Sequence, residues 1–349
     1  MEPIVKFGYS LLPFLKDFPE WLAVLIIASI SGALLLGFIA VFALFAIWLE
    51  RKISAHTQDR LGPMEVGGWH GWAQTIADAL KLLGKEDFAP EKADKLLFTF
   101  APILMFAATV AAFVAIPWSA DFIPADLNIG LLYILAISSL IVVAILMGGW
   151  ASNNKWSLYG AMRSAAQIIS YEIPVALSLI TAVLIAGSLN MNDLVRYQEG
   201  SIFNWIFMRY YGFGFIAFIL YFVASLAEVN RTPFDLPEAE SELVGGFHTE
   251  YSGMRFAMFF LAEFANMFIV AAIAATVFLG GWLPPFSFLD FIPGPIWFLL
   301  KATFLVSIQM WLRWTLPRLR VDQLMYTCWK VLTPFSFAVL MIVAVLILI

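Results

Sequence analysis

The chain has 349 residues, 62% of them hydrophobic and 13% charged, with a mean hydropathy of +0.87 and a formal net charge of −5. This composition excludes a soluble globular domain and predicts a multi-pass integral membrane protein. A single cysteine, Cys328, excludes an intrachain disulfide and a self-contained cysteine-ligated iron–sulfur or zinc site.

The N-terminus lacks a basic segment followed by a short apolar core and a small-residue cleavage site, so no cleaved signal peptide is expected. A hydrocarbon core needs about 20 apolar residues per helix. Eight runs qualify: 21–49, 96–118, 127–150, 165–189, 212–229, 255–281, 296–316 and 331–349. The predicted fold is therefore all-α, an integral membrane domain spanning 1–349 with eight transmembrane helices.

The first run ends in Glu50, Arg51 and Lys52. Charges at a helix end ordinarily mark the head-group level, yet consecutive residues point about 100° apart, so one of the three can face inward. The loop that follows opens on the glycine-rich RLGPMEVGGWHG, which predicts an irregular turn. Next comes WHGWAQTIADALKLLGKEDF, with Trp72, Ile76, Leu80 and Leu83 on one helical face and Gln74, Asp78, Lys81 and Lys85 on the other. That period predicts an amphipathic helix, lying along the membrane surface or packed on its own protein.

Glu172 sits several residues inside the fourth span, two before Pro174. A carboxylate at that depth is paired, protonated or lining a polar path, and a proline there frees a carbonyl. Glu228 ends the fifth span, and Glu263 stands inside the sixth with Asn266 three residues on. One buried acid could be an accident of packing, whereas three on separate helices suggest a shared hydrated path for protons.

Between the fifth and sixth spans lies EVNRTPFDLPEAESELVGGFHTEYSG, residues 228–253, the most informative stretch of the chain. It sets Glu228, Asp235, Glu238, Glu240, Glu242 and Glu250 around one arginine, Arg231. LPEAESELVGG reads as a short helix with Pro237 in its first turn. Glu238 and Glu242 are then i and i+4, so like-charge repulsion raises one or both pKa values where water is scarce. Coupled acids of that kind suit proton relay; the competing reading is a solvated acidic loop.

Orientation follows from lysine and arginine placement. The predicted inner loops 50–95, 151–164, 230–254 and 317–330, with their flanks, hold fifteen of the twenty, against Lys6, Lys16, Arg196 and Arg209 opposite. Both termini are thus expected on the outer side. No short metal-ligand spacing, GxGxxG or P-loop occurs, so no metal or nucleotide site is expected on this chain.

ERK at 50–52, DRLGP at 59–63, GWAQTIADALKLLGKE at 71–86, SAAQIISYEIP at 164–174 and AEVNRTPFDLPEAESELVGGFHTEYSG at 227–253 together resemble the membrane-embedded H subunit of respiratory complex I, the proton-pumping NADH:quinone oxidoreductase. The likeness spans about 45–345 and is weak near 190–211 and 282–295. It implies a non-redox subunit at the heel of the membrane arm, without a catalytic redox centre of its own. It implies that the first span, surface helix and sixth span frame the mouth of a quinone tunnel, placing Glu50, Arg51, Arg60 and Asp78 near the quinone. It implies an acidic funnel of Glu172, Glu228, Asp235, Glu238, Glu240, Glu242 and Glu263, with Arg231 as countercharge, and a likeness of spans two to six to half an antiporter unit. The substrate is then ubiquinone or menaquinone, while NADH, FMN and iron–sulfur clusters belong to other subunits. The implied partners are peripheral-arm quinone-site subunits, small membrane subunits and the lipid bilayer, with no nucleic acid; length and outer loops incline the location to a bacterial inner membrane. Buried acids and a kinked helix also fit a stand-alone ion transporter, and the charged loops a structural anchor; against the transporter stand the absence of an evident repeat and loops that look built for docking.

Overall fold

The computed structural model describes residues 19–120, 122–236 and 240–349, apart from the side chains of residues 240, 241 and 287. Glu238 and the segment 1–18, with Lys6 and Lys16, lie outside the described residues. The elements in chain order are α1 (Glu20–Thr57), α2 (Gln74–Gly84), α3 (Lys95–Phe113), α4 (Gly130–Ala151), α5 (Lys155–Ala186) and the short α6 (Met191–Arg196). There follow α7 (Phe213–Glu228), the single turn α8 (Glu240–Leu243), α9 (Gly253–Phe278), α10 (Gly294–Thr315), α11 (Val321–Tyr326) and α12 (Thr333–Leu348). A π-helical segment, Thr327–Leu332, joins α11 to α12 without a break.

Eight helices are long and apolar enough to cross a membrane, and among the described residues there is no strand. The reason is elementary: in hydrocarbon an amide cannot find water, so each apolar run closes its hydrogen bonds on itself. The ends are punctuated by polar caps. Asp94 accepts from the Leu96 and Leu97 amides at the start of α3, and Asn154 accepts from that of Trp156 at the start of α5. α5 ends on Gly187 in the left-handed region, with φ of 75°.

α5 begins at Lys155, well before the apolar run at 165. Its first turns bury Ser157, Gly160, Ser164 and Gln167 against the chain's own loops, so a polar helical face there needs no lipid. Gly160 is required by that packing, because a Cβ on it would lie 2.8 Å from the Cα of Gly246. The turn at 246–248 is thereby seated directly on α5.

α9 is the central helix: every residue from 264 to 278 is buried, most of them alanine or phenylalanine. Lipid tails are as apolar as the side chains, so close packing rather than the hydrophobic effect holds such a core. Phe268 supplies much of it. Its ring meets Phe42 of α1 at 4.7 Å, Phe113 of α3 at 5.7 Å, Trp118 at 5.9 Å and Phe298 of α10 at 6.2 Å. α1 and the last span are peripheral. With 38 residues α1 is about 57 Å long, more than the roughly 30 Å of a hydrocarbon core, so its inner end has length to spare.

Candidate functional site

The three charges at the inner end of α1 point three ways. Lys52 is buried, and its ammonium donates to the carbonyls of Leu61 at 3.2 Å and Pro63 at 2.7 Å and contacts Met64 Sδ, tying down the glycine-rich turn. Glu50 is buried on another side. It accepts from Arg231 Nη1 at 3.0 and 3.1 Å, and also from Arg313 of α10. The Arg231 guanidinium lies 4.7 Å from the centre of the Phe264 ring. One carboxylate thus gathers two guanidiniums from distant segments, and Arg231 neutralises Glu50 as well as belonging to the acidic loop.

Arg51 takes the third direction and pairs with Asp78 of α2 at 2.5 Å. The pair borders a cavity of about 260 Å³ between α1, α2 and α9, lined otherwise by apolar side chains such as Ala43, Ile47, Leu82, Phe260 and Leu261. α2 turns Thr75 and Asp78 toward the chain, and Ile76, Leu80 and Leu83, with Trp72 just before the helix, are between 40 and 63% exposed. Thr75, Asp78 and Leu82 border the cavity, while Lys81 and Lys85 of the polar face are exposed, and the exposed apolar stripe has the character of a surface that meets a membrane interface. Arg60 lies apart, exposed, with its backbone amide donating to Ala55.

A second polar group lies behind the first. Asn230 has a φ of 52° and donates to Ser164 at 3.1 Å; the Gln167 amide reaches Ala227 O, Asn230 Oδ1 and Phe234 O, all within 3.0 Å. These bonds fix the loop after α7 so that Arg231 turns to Glu50. Glu228, three residues earlier and buried, turns the other way, to the Ser138 hydroxyl of α4 and within electrostatic reach of Glu172. Glu172 accepts from Ser139 Oγ at 3.1 Å. Acids of α5 and α7 therefore face two successive serines on α4.

The rest of the acidic loop is more open. Asp235 is partly buried, and its carbonyl accepts from Arg318 at 3.3 Å. Glu242 is 52% exposed, accepts from Arg163 at 2.7 Å and lies 3.9 Å from Arg318. The Arg163 hydrogen bond, helped by both positive charges, holds the Glu242 carboxyl below the usual carboxylate range. The repulsion expected to raise it does not govern this residue, because water and two arginines reach it. Glu240 opens α8, and Glu263 is partly buried on α9, one turn from buried Asn266. Sequence reasoning did not single out Ser138, Ser139, Gln167, Asn230 or Arg313. A serine pair inside ILAISSLIVV and an arginine closing a span were the available signals.

A family model described as NADH dehydrogenase matches residues 30–344. The H subunit of NADH-quinone oxidoreductase from Chlorobium luteolum is 52% identical over 339 residues, covering 93% of this chain and 89% of that protein. The chain belongs to the family of NADH-quinone oxidoreductase H subunits. The H subunits of Geobacillus sp. and Bacteroides thetaiotaomicron are 49% and 46% identical, each over 95% of this chain and over 97% and 93% of their own lengths. The matched residues 30–344 include Glu50, Arg231 and Arg313, Arg51 and Asp78, and Glu172 and Glu228. The family match begins inside α1 and runs through nearly all of α12.

Proposed function

We propose that this chain lines the quinone path of a proton-translocating NADH:quinone oxidoreductase and couples quinone reduction to proton movement. The apolar cavity between α1, α2 and α9 suits an isoprenoid tail, and the Arg51–Asp78 pair at its edge suits the polar head group. Reduction of a quinone to a quinol consumes two electrons and two protons. The electrons come from centres on other subunits, so this chain's part is binding, charge placement and proton supply.

The observation that carries the reading is the loop 228–231, which puts Arg231 on Glu50 and Glu228 beside Ser138 of α4 and Glu172 of α5. In this reading, negative charge arriving beside Arg51 acts on its sequence neighbour Glu50 and so on the hold that Glu50 has on Arg231 and Arg313. Any displacement of Arg231 is passed through three residues of backbone to Glu228, and from there to Glu172 by electrostatic coupling. We assign Glu263, Asp235, Glu238, Glu240 and Glu242 to the same proton-coupling set. In this reading the lysine- and arginine-rich loops face the bacterial cytoplasm, where the electron-carrying subunits dock, and both termini face outward.

A photoreactive quinone bound to the intact complex labels α1, α2 or α9 around the cavity in this reading. Glu172→Gln and Glu228→Gln lower protons moved per NADH oxidised with assembly retained. Labelling elsewhere removes the quinone path from this cavity, and unchanged pumping in both variants removes the acids from the coupling.

A further inference from the structure

Pro174 follows Glu172 by two residues in α5 and has no N–H to offer the carbonyl of Ser170, four residues before it. Ser170 is 6% exposed, so water does not replace the missing donor, and an unmet carbonyl at this depth is costly. The donor comes from the last span. The thiol of Cys328, fully buried, donates to Ser170 O across 3.0 Å.

Cys328 reaches that carbonyl from the π turn Thr327–Leu332. A π turn widens the helix by a residue and leaves carbonyls without regular partners. Thr333 Oγ1 closes one of them, donating to Cys328 O at 2.9 Å. In α11, three residues before the π turn, the carbonyl of Leu324 accepts from the Tyr171 hydroxyl at 3.0 Å, and Tyr171 is fully buried. Two cross-helix bonds therefore pin residues 170 and 171, directly ahead of Glu172. The irregular turn of one helix is fitted to the proline break of the other.

We infer that the junction of α11 and the π turn at the start of the last span is a positioning element for Glu172, acting through Cys328 of the π turn on the Ser170 carbonyl and through the Leu324 carbonyl of α11 on the Tyr171 hydroxyl. It sets the turn of α5 from which the Glu172 carboxyl reaches Ser139. The inference rests on the proton-path reading for what Glu172 does, but not for how Glu172 is held.

The test uses the intact complex with Cys328→Ala, Cys328→Ser and Tyr171→Phe. Two readouts are taken: the infrared carboxyl band of Glu172, identified as the band lost in Glu172→Gln, and protons moved per NADH oxidised. Cys328→Ala and Tyr171→Phe shift the band and lower pumping by about threefold, the effect of one lost buried hydrogen bond. Cys328→Ser, which keeps a donor, restores both. An unmoved band in both Cys328→Ala and Tyr171→Phe overturns the inference whatever the pumping does. A moved band together with unchanged pumping in Glu172→Gln sinks the proton path and leaves the positioning intact. Should Cys328→Ala fail to assemble, Pro174→Ala added to it gives Ser170 an amide partner. Recovery of assembly and band supports the inference, and no recovery overturns it.

Discussion

Arg231 donates through one nitrogen to both carboxylate oxygens of Glu50, at 3.0 and 3.1 Å, although 181 residues separate them. Both side chains are over 90% buried, and Arg313 completes the group. Removing one partner of such a pair strands the other charge and costs about 3–5 kcal/mol. Glu50→Ala leaves two guanidiniums facing each other and lowers the thermal dissociation midpoint of the complex steeply. Replacing the pair together, Glu50→Leu with Arg231→Met, costs less than Glu50→Ala alone, since no buried partner in that pair is stranded. A double variant as unstable as the single one would show that the pair does not act as a unit.

The Arg51–Asp78 pair separates binding from stability. Its side chains are 42 and 26% exposed, and ion pairs of that exposure contribute about 0–1 kcal/mol. Asp78→Asn thus leaves the dissociation midpoint nearly unchanged. It raises KM for quinone severalfold, because Asp78 borders the cavity proposed for the tail and head group. Exchanging the charges, Arg51→Asp with Asp78→Arg, regains part of the loss. Steady-state quinone reduction with one quinone across the unaltered protein and the two variants decides it; equal KM values detach the pair from the quinone.

The spans were legible because runs such as 127–150 have no alternative to a helix in lipid, and Glu172 and Glu263 stood out against those runs. The face of α2 was legible from its period, though which side docks was not. Arg231 read as the countercharge of its own loop, and nothing local points it across the fold to Glu50. Arg313 looked like an orientation signal at the end of a span, a role that hides its second one on Glu50. The start of α5 at Lys155 was obscured because its first turns are polar and are covered by protein instead of lipid. The π turn in TCWKVL has no compositional mark at all, and neither does the reach of Cys328 to the Ser170 carbonyl.

Glu242 ties the acidic loop to α5 through Arg163, and the tie depends on charge. Its carboxyl titrates below the ordinary carboxylate value, chiefly because of the Arg163 hydrogen bond. A depressed acid contributes stability that is fully present above its unfolded pKa and is lost as pH falls through the folded one. The segment 240–248 is therefore equally protected from amide exchange at neutral and mildly acidic pH. It loosens below the carboxylate range, once exchange rates are corrected for pH. Arg163→Gln loosens the same segment already at neutral pH and flattens the acid response. Protection that falls between neutral and mildly acidic pH would contradict the direction of the shift.

At the far end of α9, Gln198 is fully buried and satisfies five backbone groups. Its Nε2 lies 3.0 to 3.1 Å from the carbonyls of Leu194, Thr276 and Val277, and its Oε1 accepts from the amides of Ile206 and Gly280. Lys301 of α10 serves the same end, donating to the carbonyls of Leu279, Gly281 and Leu283 at 2.7 to 2.9 Å. Gln198→Ala orphans two buried amides at once, for a loss of about 2–5 kcal/mol. Lys301→Met is also destabilising. The two side chains close neighbouring turns, so the double variant departs from the sum of the singles, as residues in one network do. The cavity residues Met254 and Leu261 stand at the opposite end of α9, a helix of 26 residues and about 39 Å. Quinone KM is therefore unchanged in both single variants while the dissociation midpoint drops. Strict additivity would show two independent caps instead of one joined closure.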